Sequence, residues 1–216
     1  MGADRTTLSD SDLKAAIAVE LDALADALET VSPASWDEPS LCAGWRVRDV
    51  VAHMTMASRY DQAAFEAELR ESNFDFTALS NRIAVRDGTH SIASLLADLR
   101  SEALRRWSPP GGGFAGALTH AVIHGLDITT PLGITPVTSD ATMHVVLDGL
   151  AGGGVHAHFG TSLDGRELRA TDLDWSFGAG TTVAAPAHVL ALAMCGRAVA
   201  EVSLSVDDSA GAPGRS

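Results

Sequence analysis

Four stretches of this 216-residue chain carry apolar residues at helical spacing, and this pattern restricts its N-terminal part to packed helices. The first begins at the N-cap candidates Ser9 and Ser11 and places leucine or isoleucine every three or four residues as far as Leu28. The others span residues 47–69, residues 91–107 and the segment between Gly113 and Pro131. A shorter helix is predicted over residues 73–87. Four amphipathic helices are enough for a four-helix bundle, a fold that commonly holds metal between facing helices.

The pattern changes after Pro136. A further helix is predicted over residues 140–150, short strands over residues 167–172, 175–177 and 181–183, and an apolar helix over residues 187–199. We therefore predict an α+β chain of two domains, in which residues 8–137 form the helical bundle and residues 138–206 a small α+β unit. Residues 207–216 have the composition of a disordered tail.

The net charge and the termini restrict the partners and the cellular location that we expect for this protein. Twenty-eight acidic against fifteen basic side chains give a net charge of -13, which disfavours nucleic acid and anionic membranes as partners. Neither terminus resembles a targeting segment and no apolar run is long enough to span a membrane, so we expect a cytoplasmic protein, as a monomer or a homodimer. Cys42 and Cys195 belong to no C-x-x-C motif and are expected as unbridged thiols, one in a loop and one in the core.

His120 and His124 are the only histidines at a spacing that suits joint metal binding on one helix. Residues four apart share a helical face, so both imidazoles can converge on one ion. A third ligand must come from elsewhere, and His53 on the second predicted helix is the best remaining histidine. Two partly buried histidines bonded to nearby carbonyls are the alternative. The pair lacks the glutamate of the His-Glu-x-x-His metalloproteases, so peptidase activity is disfavoured.

Two motifs match a known pattern. The segment from Trp36 to His53 reads Trp-x(5)-Cys-x-Gly-Trp-x-Val-Arg-Asp-Val-Val-Ala-His, and residues 123–127 read Ile-His-Gly-Leu-Asp. Together they resemble the N-terminal domain of the mycothiol-dependent maleylpyruvate isomerase family, a DinB-like four-helix bundle of actinobacteria. Residues 165–178 and the pair Gly196-Arg197 resemble that family's C-terminal domain, which is similar to sterol carrier proteins.

The resemblance implies a metal site of His53, His120 and His124 that holds zinc, with mycothiol as cosubstrate. It also implies that Arg197 assists catalysis on an anionic substrate. In the isomerase the position matching His120 holds a glutamate, whereas three histidines are the commoner set across DinB-like proteins. Because an acidic protein that handles an anionic substrate needs local positive charge, we also predict that Arg82 lies with Arg197 at the mouth of the site.

These features predict an enzyme that activates a low-molecular-weight thiol at a metal. It would act on a small electrophile as a mycothiol S-transferase or as a cis-trans isomerase like maleylpyruvate isomerase. A non-catalytic metal-binding regulatory module and a metal-water hydrolase are the alternatives. The sequence names neither the electrophile nor the residues that bind the thiol.

Overall fold

The structure, a computed structural model, describes residues 8–153, 159–200, 202 and 204. The chain divides into two compact units, Met1–Val145 and Val146–Ser216. The sequence instead suggests a boundary between residues 137 and 138. The tail predicted for residues 207–216 lies outside the described residues.

The secondary-structure elements described in the first unit are helices. The elements are α1 (Asp10–Thr30), a 3-10 helix (Pro33–Asp37), α2 (Val47–Met54), α3 (Met56–Arg59), α4 (Gln62–Glu71), α5 (Phe76–Asp87), α6 (Ile92–Leu99), α7 (Glu102–Arg106), α8 (Gly113–Thr129) and α9 (Asp140–Gly152), which runs into the second unit.

The first helix begins and packs as its sequence predicts. Ser9 and Asp12 form a reciprocal capping box, which satisfies backbone donors at the helix start. The apolar stripe faces inward and packs against α8 and α6. Its buried members are Leu13, Ile17, Leu21, Leu24 and Leu28.

The prediction of one continuous helix over residues 47–69 is wrong, because the chain breaks twice. Thr55 Oγ1 donates 2.7 Å to the carbonyl of Val51, a bond that bends helices, and α2 ends at Met54. Tyr60 is extended, and the carboxylate of Asp61 then accepts from the backbone N–H of Ala64 and starts α4 in a new direction.

The predicted helix over residues 91–107 is also interrupted. Ser101 is extended, and its hydroxyl accepts from the backbone N–H of Leu104, so that α7 has an N-cap of its own. In both cases a short polar side chain competes with the continuing helix for backbone groups.

In the residues that the structure describes, the second unit contains a three-stranded sheet and a helix that follows it, as the sequence predicts. The strands are β1 (Arg166–Ala170), β2 (Ser176–Gly178) and β3 (Thr181–Ala185). They order as β2-β1-β3, with β1 antiparallel to β2 and parallel to β3. The helix α10 (Ala187–Met194) packs on β1 and is shorter than predicted, because Gly196 takes a positive φ of 70° there. None of the helices in the described part of the chain combines the length and apolarity needed to span a membrane.

Candidate metal centre

Three histidines of the first unit converge on one point. His53 lies in the last turn of α2, and His120 and His124 lie on successive turns of α8. Nitrogen atoms from the three rings all lie within 4.8 Å of one another. His53 is buried, and the other two rings keep some exposure. The structure therefore brings together the three residues that the sequence singles out.

The spacing of two of these nitrogens suits a zinc ion. Nε2 of His53 lies 3.3 Å from Nε2 of His120. Two nitrogens bound to a tetrahedral zinc at about 2.0–2.1 Å lie about 3.3 Å apart. The two rings already have the separation that coordination would require.

Asp127 fixes the orientation of His124. Its carboxylate is fully buried, and its Oδ2 lies 2.9 Å from Nδ1 of His124. This contact engages Nδ1 and leaves Nε2 as the nitrogen for an ion. Metal-binding histidines commonly donate their second ring nitrogen to a carboxylate in this way.

Cys42 adds a second donor to the same carboxylate oxygen. Its Sγ lies 3.0 Å from Oδ2 of Asp127 and 3.8 Å from Nδ1 of His124. These three residues form a second set that could hold an ion. The two sets share His124 and use it through different ring nitrogens. The Asp127 contact to Nδ1 favours the three-histidine set, with Cys42 and Asp127 as its support.

His120 is suited to binding as a neutral ligand. The protein packed around its ring and the nearby His124 lower the pKa of His120 well below 6.5, although Asp127 acts in the opposite direction. A metal ligand must offer an unprotonated nitrogen, so this environment prepares the ring for coordination.

Two tryptophans enclose the histidines. The ring of Trp45 lies 4.9 Å from that of His53, between centroids, and the ring of Trp107 lies 5.3 Å from that of His120. Nε1 of Trp45 donates 2.9 Å to Asn81 on α5, which anchors that indole. The two indole rings therefore pack beside the imidazoles of His53 and His120.

A cavity of about 730 Å³ opens from the three histidines. Its size suits a small ligand. It is bounded by the end of α2, by α3 and α4, by the start of α5 and by the segment between α7 and α8. The cavity therefore lies where the predicted continuous helix is interrupted at Thr55 and Tyr60, with residues on both sides of these breaks in its lining.

The two arginines that were predicted to be catalytic, Arg82 and Arg197, belong to different units. Arg82 is not among the described residues that line the cavity, because its guanidinium binds Glu68 and Glu71 at 2.6 Å each. Arg197 belongs to the second unit, where its Nη1 donates 3.0 Å to the carbonyl of Cys195.

The remaining histidines show no comparable grouping. His90 is exposed and His144 and His188 are partly exposed, and none of them joins a group suited to metal among the described residues. His156 and His158 lie outside the described residues. Asp49, one turn before His53, accepts from the backbone and the guanidinium of Arg46 at the start of α2.

Sequence reasoning missed Cys42 and the cavity lining. Cys42 precedes the Gly44-Trp45 turn, and its proximity to Asp127 depends on the bond from Leu41 N–H to the carbonyl of Asp127. No local pattern encodes that contact. A signal for the cavity did exist in Asp61, whose capping position predicts a helix start.

The chain is similar to known proteins in sequence and in fold. Residues 17–129 match the family described as the mycothiol maleylpyruvate isomerase N-terminal domain. No curated protein matches the chain. A crystal structure of a mycothiol-dependent maleylpyruvate isomerase is similar, with a TM-score of 0.58, 16% identity and coverage of 91% of this chain and 93% of that one. A structure of a histidine-to-alanine mutant of such an isomerase gives a TM-score of 0.57, 15% identity and the same coverage.

Proposed function

Because the chain belongs to the mycothiol maleylpyruvate isomerase N-terminal domain family, we propose that it is a metal-dependent enzyme that uses mycothiol or a similar low-molecular-weight thiol. The thiol would be transferred to a small electrophile or would catalyse its cis-trans isomerisation. The observation that carries this proposal is the convergence of His53, His120 and His124 at the end of a cavity. The metal that best suits three imidazoles at this spacing is zinc.

The packing of the helices supports the finer fold assignment. α1 packs on α6 and α8, and α2 packs on the same two helices, so these four form a closed arrangement. We propose that residues 8–137 are a DinB-like four-helix bundle on this basis. We also propose that residues 138–206 correspond to the sterol-carrier-like domain, which the 93% coverage of the solved isomerase supports.

The roles of the residues follow from their contacts. His53, His120 and His124 would hold the ion, with Asp127 fixing the His124 ring. A zinc ion held there would lower the pKa of a bound thiol and so supply a nucleophile at neutral pH. Trp45 and Trp107 pack beside His53 and His120, and the cavity that opens from the histidines would hold the electrophile.

The reaction balances without a redox partner. The thiol proton passes to solvent and the sulfur forms a bond to the electrophilic carbon. If a leaving group departs with the bonding electron pair, the result is S-transfer. If sulfur adds to a double bond and later leaves after rotation, the result is isomerisation.

The cavity disfavours a metal-water hydrolase. Asp61 is the one carboxylate among its described lining residues, and its side chain caps α4. A hydrolase of this type generally needs a carboxylate or histidine base beside the bound water. The thiol brings its own nucleophile and does not need that base.

A thiol-consumption assay tests the proposal. The zinc-loaded full-length protein should accelerate the reaction of mycothiol with small electrophiles, and His53→Ala should abolish the acceleration. His90→Ala, at an exposed histidine, is the matched control and should retain it. A wild-type protein that binds zinc but accelerates no thiol reaction would instead be the non-catalytic module.

A further inference from the structure

The walls of the cavity that opens from the histidines lack the positive charge that a site for an anionic substrate would need. Among the residues that the structure describes, neither lysine nor arginine lines it. Its walls are mainly apolar, with Phe65, Leu69 and Trp107 inside and Phe74 and Phe76 toward solvent. Phe74 is 71% exposed, so the apolar surface continues to the rim.

Three polar side chains of the lining are engaged elsewhere, and Ser108 also lines the cavity. The hydroxyl of Tyr60 donates 2.7 Å to Asp87, Asp61 caps α4, and the amide nitrogen of Gln62 donates to Glu66. The Tyr60 bond joins this wall to α5, while the other two lie within α4, and all three hold these groups in place. They leave the cavity few donors for a carboxylate.

The arginines on the neighbouring helices are paired with acids. Arg59 binds Asp87 and Asp98, and Arg86 binds Glu68 and Asp87. Arg82 is held by two glutamates, as described above. Moving any of these guanidinium groups to a ligand would strip a carboxylate of its partner, which is costly for the buried Asp87.

Within the first unit, an anion in this cavity would therefore lose hydration without gaining a side-chain cation. The one other positive charge would be the ion at the histidines, to which the thiol sulfur would bind. Burying an unpaired carboxylate is strongly unfavourable. The net charge of -13 adds a repulsive field around the protein. An uncharged apolar group instead gains by leaving water.

We propose that the electrophile is an uncharged, largely apolar molecule, such as a benzylic or alkyl halide, and that dicarboxylates are excluded. The inference rests on the proposed function and narrows it to S-transfer. The thiol sulfur forms the C–S bond, the C–halogen bond breaks, the halide leaves with the electron pair, and the thiol proton passes to solvent. The apolar walls hold the aromatic or alkyl group while this exchange occurs.

Two isosteric electrophiles test the proposal with mycothiol and the zinc-loaded full-length protein. 4-(Bromomethyl)benzamide and 4-(bromomethyl)benzoate share the reacting carbon and differ in one charge. After subtraction of the uncatalysed rate, kcat/KM for the amide should exceed that for the acid by roughly tenfold or more, from the cost of an unpaired charge. Equal values or a preference for the acid would overturn the inference while leaving the proposed function intact.

A cavity variant supplies the missing cation. Leu69→Arg should move the preference toward the acid, whereas the matched Leu69→Gln, which is polar without charge, should lower kcat/KM for both compounds and keep their ratio near that of the wild type. A ratio that does not respond to the arginine would contradict the assignment of this cavity to the electrophile.

A binding experiment remains decisive if the protein proves inactive. Calorimetry with the unreactive pair 4-methylbenzamide and 4-methylbenzoate uses the chelator-treated full-length protein, so that no bound ion attracts the acid. Tighter binding of the amide supports the cavity chemistry even where the thiol reaction fails. Tighter binding of the acid, or no binding of the amide at millimolar concentration, overturns it.

Discussion

Replacing Asp127 by asparagine should weaken zinc binding without removing a ligand. The carboxylate is fully buried and lies 2.9 Å from Nδ1 of His124. Asparagine has nearly the same shape and can still accept a bond through Oδ1, but it carries no charge. The change therefore isolates the electrostatic part of the contact.

The expected loss of zinc affinity follows from the strength of this hydrogen bond. A hydrogen bond to a charged group contributes about 1.5–3 kcal/mol, against about 1 kcal/mol for a neutral one. The difference of about 0.5–2 kcal/mol corresponds to a loss of roughly 2-fold to 30-fold in zinc affinity, close to the lower part of the range for carboxylates behind metal ligands. Competition with a chromophoric zinc chelator at fixed pH measures it.

Asp49→Asn is the matched control. Asp49 is also a buried aspartate near a candidate ligand, but it binds Arg46 rather than a histidine. Its replacement should lower stability to urea and leave zinc affinity within about twofold of the wild type. An Asp127→Asn protein with unchanged affinity would refute the orienting role.

Cys42→Ser separates the two overlapping candidate sets. Serine keeps a donor for Asp127, so the three-histidine site should lose little affinity. If Cys42, His124 and Asp127 were instead the ligands, loss of the thiolate would lower zinc affinity by orders of magnitude. That result would reassign the centre to the second set.

Three further predictions concern the rest of the first unit. Replacing any one of the three candidate ligand histidines by alanine should abolish stoichiometric zinc binding, measured by elemental analysis after dialysis. The control His90→Ala should retain one equivalent of zinc. Retention of zinc in a ligand variant would contradict the site. Arg59→Met should lower the free energy of unfolding in urea by about 3–5 kcal/mol, because it leaves the buried Asp87 and the partly buried Asp98 without this partner. A loss below about 1 kcal/mol would show that the other contacts of Asp87 suffice. Burial raises the pKa of Asp87, but hydrogen bonds from Arg86, Tyr60 and Arg59 outweigh the effect of burial and hold that pKa below 3.8. The bonds to the ionised carboxylate therefore stabilise the fold fully above pH 3.8, and their contribution is lost as the pH falls further. Asp87→Asn should therefore flatten the decline in stability below pH 3.8, and an unchanged slope would exclude Asp87 as its source.

The three histidines of the candidate metal centre could be singled out because they depend on local patterns. His120 and His124 need only one regular helix, and His53 needs only a helix whose inner face is apolar. Each condition is visible within about ten residues of sequence. The packing of α2 on α8 then brings the rings together.

The cavity could not be predicted from the same patterns. Apolar residues between Val47 and Leu69 fit a single helix, but the local bond from Thr55 to Val51 and the ion pairs of Arg59 with distant residues accompany the break. Arg59 donates to Thr55 Oγ1 and to the carbonyl of Ala52, while it also binds Asp98, 39 residues away. Propensity within the segment does not record such distant partners.

The position of His53 and His120 on different helices has a consequence for folding. They are 67 residues apart in the chain, so one ion bound to both would close a long loop in the way a cross-link does. Neither Cys42 nor Cys195 forms a disulfide. Zinc would thus act as a reversible cross-link between α2 and α8. Its removal by a chelator should speed the unfolding of the contact between those two helices.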